Sequence, residues 1–154
     1  MRRYCLVLLL MLLGPAPALA DLAAGLAAYD AGDYVQARSE WQPLARAGDP
    51  EAQIALAELY IHGLGVVRDA ARAVYWYRQA ACRGAVVARL NLGDLYDRGL
   101  GVTRDRIKAY AWLELAARSR RPWAIQRRDG IGRQIGEGRI AEAKTLAAHI
   151  LESC

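Results

Sequence analysis

The sequence predicts an all-α fold, an α/α superhelical solenoid of antiparallel helix pairs, and three observations carry that prediction. Residues 52–118 hold one pattern written twice, offset by 36 positions (Gly99 against Gly63). A fixed period of this length, built of small and aromatic residues, marks a helical repeat array. Within each copy the apolar residues recur at helical spacing. Between the two halves of each copy lies a Gly-x-Gly-Val loop, where glycine ends the first helix because it adopts positive φ without steric cost.

The elements follow in order. Arg2-Arg3, the apolar run Leu6–Leu13, the break at Gly14-Pro15 and the small-residue site Ala18-Leu19-Ala20 have the layout of a secretory signal peptide cleaved after Ala20. The run is too short to span a bilayer, which takes about 20 apolar residues, so no transmembrane segment is expected after processing. Residues 21–154 then read as a single domain. Within it, residues 21–51 form a shortened N-terminal capping repeat, in which Tyr29, Gly32, Asp33, Ala37 and Leu44-Ala45 keep the spacing of the later copies. Trp41 stands where Tyr77 stands in the next copy.

Residues 52–87 are the first full repeat. Asp49-Pro50-Glu51 is a helix start, with an Asp N-cap, proline at the first helical position and an acid facing the helix dipole. Ala52, Leu56, Leu59 and Tyr60 make one apolar stripe, Gly63 and Gly65 end it, and Asp69 caps a second helix carrying Ala73, Trp76 and Ala80-Ala81. Residues 88–121 repeat the scheme with Leu95-Tyr96, Gly99, Gly101, Asp105, Ala109, Trp112 and Ala116-Ala117. Both tryptophans are expected in the core, since neither helix of a pair can hide its stripe without a stacked neighbour. Residues 122–154 read as a degenerate closing pair: a helix from Trp123 to about Ile135 weakened by Gly130 and Gly132, a turn at Gly136-Glu137-Gly138, and a firm helix from Ile140 to Leu151.

These residues resemble the Sel-one-like repeat (SLR), a relative of the tetratricopeptide repeat, with the pattern A-x3-L-G-x-L-Y-x2-G-x-G-V-x2-D-x3-A-x2-W-x3-A-A. Residues 88–117 match it throughout, and residues 52–81 depart at Ala57, where the family favours glycine. The resemblance implies a helical scaffold that binds a protein or peptide partner along a curved groove lined by the opening helix of each repeat. The non-core positions of those helices, Glu58, His62, Asn91, Asp94 and Arg98, are the candidate contacts. Some exported relatives are rich in cysteine, with a bridge inside each repeat, and have been linked to penicillin binding. They suggest the alternative of a cell-wall hydrolase or β-lactam-binding protein, but paired cysteines at repeat spacing are missing here.

Residue chemistry points away from catalysis. His62 and His149 are the two histidines, and His62 aligns with Arg98, a substitution that suits a solvent-facing position better than a zinc ligand, which needs three or four convergent partners. The sequence holds no H-E-x-x-H, G-x-S-x-G, P-loop or dinucleotide fingerprint. No cofactor, metal or enzymatic activity is expected. After processing, Cys82 and Cys154 remain, and sequence leaves open a bridge between them, free thiols, or a link to another molecule.

The net charge of +5 is too modest to suggest a nucleic-acid partner for an exported protein. The cluster Arg118, Arg120, Arg121, Arg127 and Arg128 reads either as a solvated cap or as a weak contact for an anionic surface. Lys108 and Lys144 are the only lysines among 21 basic residues, a compositional trait of GC-rich bacterial genomes. The expectation is therefore an exported, non-enzymatic scaffold, periplasmic or secreted.

Overall fold

The computed structural model describes residues 21–154; the signal-peptide reading of residues 1–20 lies outside them. Eight helices and no strand occur among the described residues. They are α1 (Leu22–Asp30), α2 (Tyr34–Ala47), α3 (Pro50–His62), α4 (Ala70–Cys82), α5 (Val86–Arg98), α6 (Arg106–Ala117), α7 (Pro122–Ile135) and α8 (Glu137–Glu152). Consecutive helices pack as pairs and each pair leans on the next, the α/α solenoid that the repeat requires.

Local chemistry sets the helix starts. The side chains of Asp21, Asp33, Asp49, Asp69 and Asp105 each accept a backbone N–H in the first turn of the helix they precede. The loops repeat to a tenth of an ångström: Leu64 N donates to Leu59 O and Leu100 N to Leu95 O, both at 3.0 Å, while Asp69 N donates to Tyr60 O and Asp105 N to Tyr96 O, both at 2.9 Å. Arg68 and Arg104 reinforce them, their Nε donating to the helix-end carbonyls of Ile61 (3.0 Å) and Asp97 (2.7 Å).

Two features join one repeat to the next. At Gly65 and Gly101 the loop runs so close to the preceding repeat that an added Cβ would meet backbone, 2.7 Å from Tyr34 C and 2.3 Å from Ala70 C. Tyr34 and Ala70 are the first residues of α2 and α4, so each loop sits on the N-terminus of the previous second helix. At the other end, Gln53 Nε2 donates to Ala45 O (2.9 Å) and its aligned residue Arg89 donates through Nε to Ala81 O (3.0 Å). Arg89 also reaches Leu115 O at 3.2 Å, so one guanidinium ties the ends of α4 and α6. Burial, with Arg118 beside it, lowers the Arg89 pKa from its ordinary value.

The core follows the stripes read from the sequence: Ala52, Leu56, Leu59, Tyr60, Ala73, Ala80, Ala81, Ala88, Leu92, Leu95, Ala109, Ala116 and Ala117 are all buried. The two tryptophans differ. Trp112 is 3% exposed and shares a cluster with Ala147 of α8. Trp76 is only partly buried, at the seam between two core clusters. Both were expected in the core; Trp112 is sealed there because α8 packs over α6, whereas Trp76 packs against the core from its edge.

The closing pair forms as expected, with one departure at the start of its second helix. Helix α7 runs unbroken through Gly130 and Gly132, the latter so near Tyr110 that an added Cβ would lie 3.1 Å from Tyr110 Cε2. Close packing on α6 offsets the weak propensity of glycine. Helix α8 begins at Glu137 rather than Ile140, and the expected turn at Gly136-Glu137-Gly138 reduces to Gly136 at φ 80°. Both α7 and α8 lie on α6. That course carries the chain end back to α4, where Cys82 and Cys154, 72 residues apart, form a disulfide with a Cα separation of 5.1 Å. The question left open by the sequence is thereby answered. No helix among the described residues is long and apolar enough to cross a membrane.

Candidate functional site

Helices α3 and α5 open the two full repeats, and their unburied residues share a groove of about 420 Å³. Glu58 and His62 enter from α3, and Asn91, Asp94 and Arg98 from α5, so the five positions chosen from the sequence line one cavity. Tyr77 of α4 and Arg68 of the α3–α4 loop line it too.

The acids of the groove are already engaged. Tyr77 Oη donates to Glu58 Oε1 at 2.5 Å, and Asn91 Nδ2 donates to the same oxygen at 3.2 Å. His62 Nε2 stands 3.3 Å from the other oxygen, Oε2. Glu58 thus bridges two repeats through side chains from α4 and α5. Burial, aided by the carboxylate of Glu58, pushes the Tyr77 phenol far above its ordinary pKa, so it stays a proton donor. Asp94 pairs with Arg127 of α7.

The bases are not engaged in the same way. Arg98 makes no ion pair or hydrogen bond through its side chain among the described residues, although Asp94 lies one turn before it, because Asp94 turns toward Arg127. Arg68 spends its Nε on the Ile61 carbonyl and, among the described residues, meets no carboxylate.

A second, apolar groove of about 270 Å³ adjoins the first, lined by Leu22, Leu26, Tyr29, Trp41, Glu51, Ala55 and Glu58. Glu58 lines both grooves, so helices α1, α3 and α5 present two adjoining concavities, an apolar one between α1 and α3 and a polar one between α3 and α5. Gly25 permits the apolar one: an added Cβ there would overlap the Trp41 indole, whose Nε1 donates to Leu22 O at 3.2 Å.

Sequence reading missed Tyr77 and Arg68 as groove residues, Arg127 as the partner of Asp94, and the apolar groove altogether. The offset of 36 that aligns Trp41 with Tyr77 held a signal for the aromatic floor. None of it announced that Arg127 reaches Asp94. The basic cluster divides in two: Arg118, Arg120 and Arg121 are exposed, whereas Arg127 is paired with Asp94 and Arg128 with Asp129 (2.7 Å) and Glu114 (3.4 Å). His149 stands 3.2 Å from Glu152 on the surface of α8. No group of three or more His, Cys, Asp or Glu among the described residues is arranged to hold a metal ion.

Comparison with known proteins agrees with this architecture. The Sel1 repeat matches residues 50–84 and 86–119. Among solved structures, the chain is similar to c5321, a protective antigen of uropathogenic Escherichia coli strains displaying an SLR fold, with a TM-score of 0.77 and 26% identity. It is also similar to a Sel1 repeat protein of Oxalobacter formigenes, with a TM-score of 0.70 and 27% identity. These matches cover 83% and 84% of this chain but span only 28% and 56% of the two proteins. No curated protein shows significant similarity to the chain.

Proposed function

We propose that this chain is a Sel1-repeat scaffold for protein–protein or protein–peptide interaction, that it acts without catalysis, and that it works in the bacterial cell envelope after export. The matched repeats and the SLR-fold neighbours support a repeat scaffold for protein interaction. One observation carries the choice of surface: Glu58, His62, Asn91, Asp94 and Arg98 gather around a single groove whose carboxylates are held in place by Tyr77, Asn91 and Arg127. A surface fixed before the partner arrives loses little side-chain freedom on binding. Export is supported by the layout of residues 1–20 and by the Cys82–Cys154 bridge, which an oxidising compartment sustains.

Site-specific crosslinking tests the surface. A photoreactive residue at Asn91 or Leu26, in the groove, is compared with one at Tyr75, which is exposed on α4 beside the disulfide. In periplasmic extract the groove positions should yield one shared adduct, absent from the Tyr75 variant. Adducts from Tyr75 alone, or none from the groove, would refute the assignment. Mass spectrometry of the envelope fraction should find a chain beginning at Asp21.

A further inference from the structure

The groove has an electrostatic bias that its residue list conceals. Counted by formal charge, Glu58 and Asp94 offset Arg68 and Arg98. Their contacts change the balance. Asp94 is neutralised by its ion pair with Arg127, while Glu58 keeps its charge but accepts from Tyr77 and Asn91 and faces His62; with Arg68 and Arg98 the groove is left net positive. Among the described residues the guanidiniums of Arg98 and Arg68 meet no carboxylate, and both face the same cavity. Planar guanidiniums left open in a concave site favour carboxylates, which they bind in paired hydrogen bonds.

Across Glu58 the adjoining groove is apolar, and Leu26 lies 55% exposed beside it. Apolar side chains lining a concave site supply the contacts for an apolar group of a partner.

Resting on the scaffold reading above, we propose that the two adjoining grooves together select an acidic, leucine-bearing peptide segment. Side-chain carboxylates of the partner bind Arg98 and Arg68, and an apolar side chain covers Leu22, Leu26, Tyr29 and Ala55. Arg98 sets the charge preference, because it has no internal role to keep. Leu26 sets the apolar requirement.

Short labelled peptides with amidated C-termini test this by fluorescence anisotropy on the purified protein. All share two leucines and differ only in having glutamate, glutamine or lysine at the other positions. The glutamate peptide should bind about ten- to a hundredfold tighter than the glutamine one, the range for hydrogen bonds to charged groups, and the advantage should shrink with added salt. Arg98→Gln should sharply reduce that preference without altering the melting curve, and Leu26→Ser should weaken both peptides alike. Equal binding of glutamate and glutamine peptides, or a preference for lysine, overturns the charge assignment while leaving the scaffold reading intact. So does tight binding only of a glutamine peptide with a free C-terminus. If no peptide binds and the groove crosslinks also fail, the scaffold surface itself is wrong.

Discussion

Replacing Gly101 by alanine should damage the stacking of the repeats more than the helices themselves. The new Cβ would stand 2.3 Å from Ala70 C, 2.4 Å from Ala70 O and 2.7 Å from Ala71 N. Ordinary contact begins near 3.4 Å, so backbone that no rotamer change can move must retreat by about 1 Å, at an overpacking cost of roughly 1–3 kcal/mol. The left-handed φ of 70° adds about 1–2 kcal/mol for any residue with a Cβ. Gly84→Ala separates the two contributions, because Gly84 also has positive φ (90°) but nothing lies within 4 Å of its added Cβ. Denaturant melts followed by helical circular dichroism and by tryptophan fluorescence should show Gly101→Ala destabilised by about 2–5 kcal/mol and Gly84→Ala by the conformational part alone. Equal losses in the two variants would mean that the loop does not rest on α4, and the account of how the repeats join would fall.

Other outcomes follow from the same structure. The Cys82–Cys154 bridge closes 72 residues, so reduction or the double serine variant should lower stability by up to about 4 kcal/mol on the chain-entropy estimate. Hydrogen exchange should report the loss first in α8, and reductant should leave the double variant unchanged. Trp112→Ala should cost about 3–5 kcal/mol, as for emptying a large core site. Trp76→Ala should cost clearly less, because that ring is only partly buried, and equal losses would contradict the seam position.

Asp105 provides the pH test. Burial alone would raise its pKa, but the backbone N–H groups of Lys108 and Ile107 and the Lys108 ammonium together hold it below 3.8. A carboxylate with a depressed folded pKa stabilises the fold above its unfolded pKa and loses that contribution as pH falls through the folded value. Asp105→Asn keeps a capping oxygen but removes the charge. It should cost about 0.5–1 kcal/mol at neutral pH and nothing in acid below the folded pKa. A difference that persisted in acid would assign the effect to geometry rather than charge.

Much of the groove was legible before the fold was known, and the reason is geometric. Glu58 and His62 stand one turn apart on α3, and Asn91, Asp94 and Arg98 lie on one face of α5, so a helix and its period were enough to group them. Their partners were not legible. Tyr77 is 19 residues from Glu58, and Arg127 is 33 from Asp94; those pairings depend on how neighbouring helices cross. The apolar groove beside half-buried Leu22 and exposed Leu26 was hidden by the shortened first repeat, whose spacing suggested only a cap.

The sequence by itself determined the helices, their caps, their loops and the offset that makes them repeat. Each of these is a local matter: a side-chain oxygen reaching an N–H three residues away, a glycine taking a left-handed turn, an apolar stripe at 3.6-residue spacing. Only the tertiary structure decided which charges are quenched, which tryptophan α8 protects, and that the final cysteine reaches α4. Those outcomes rest on the angles and depths at which whole helices meet, set by side-chain packing summed over many residues, and no short window of sequence contains that sum.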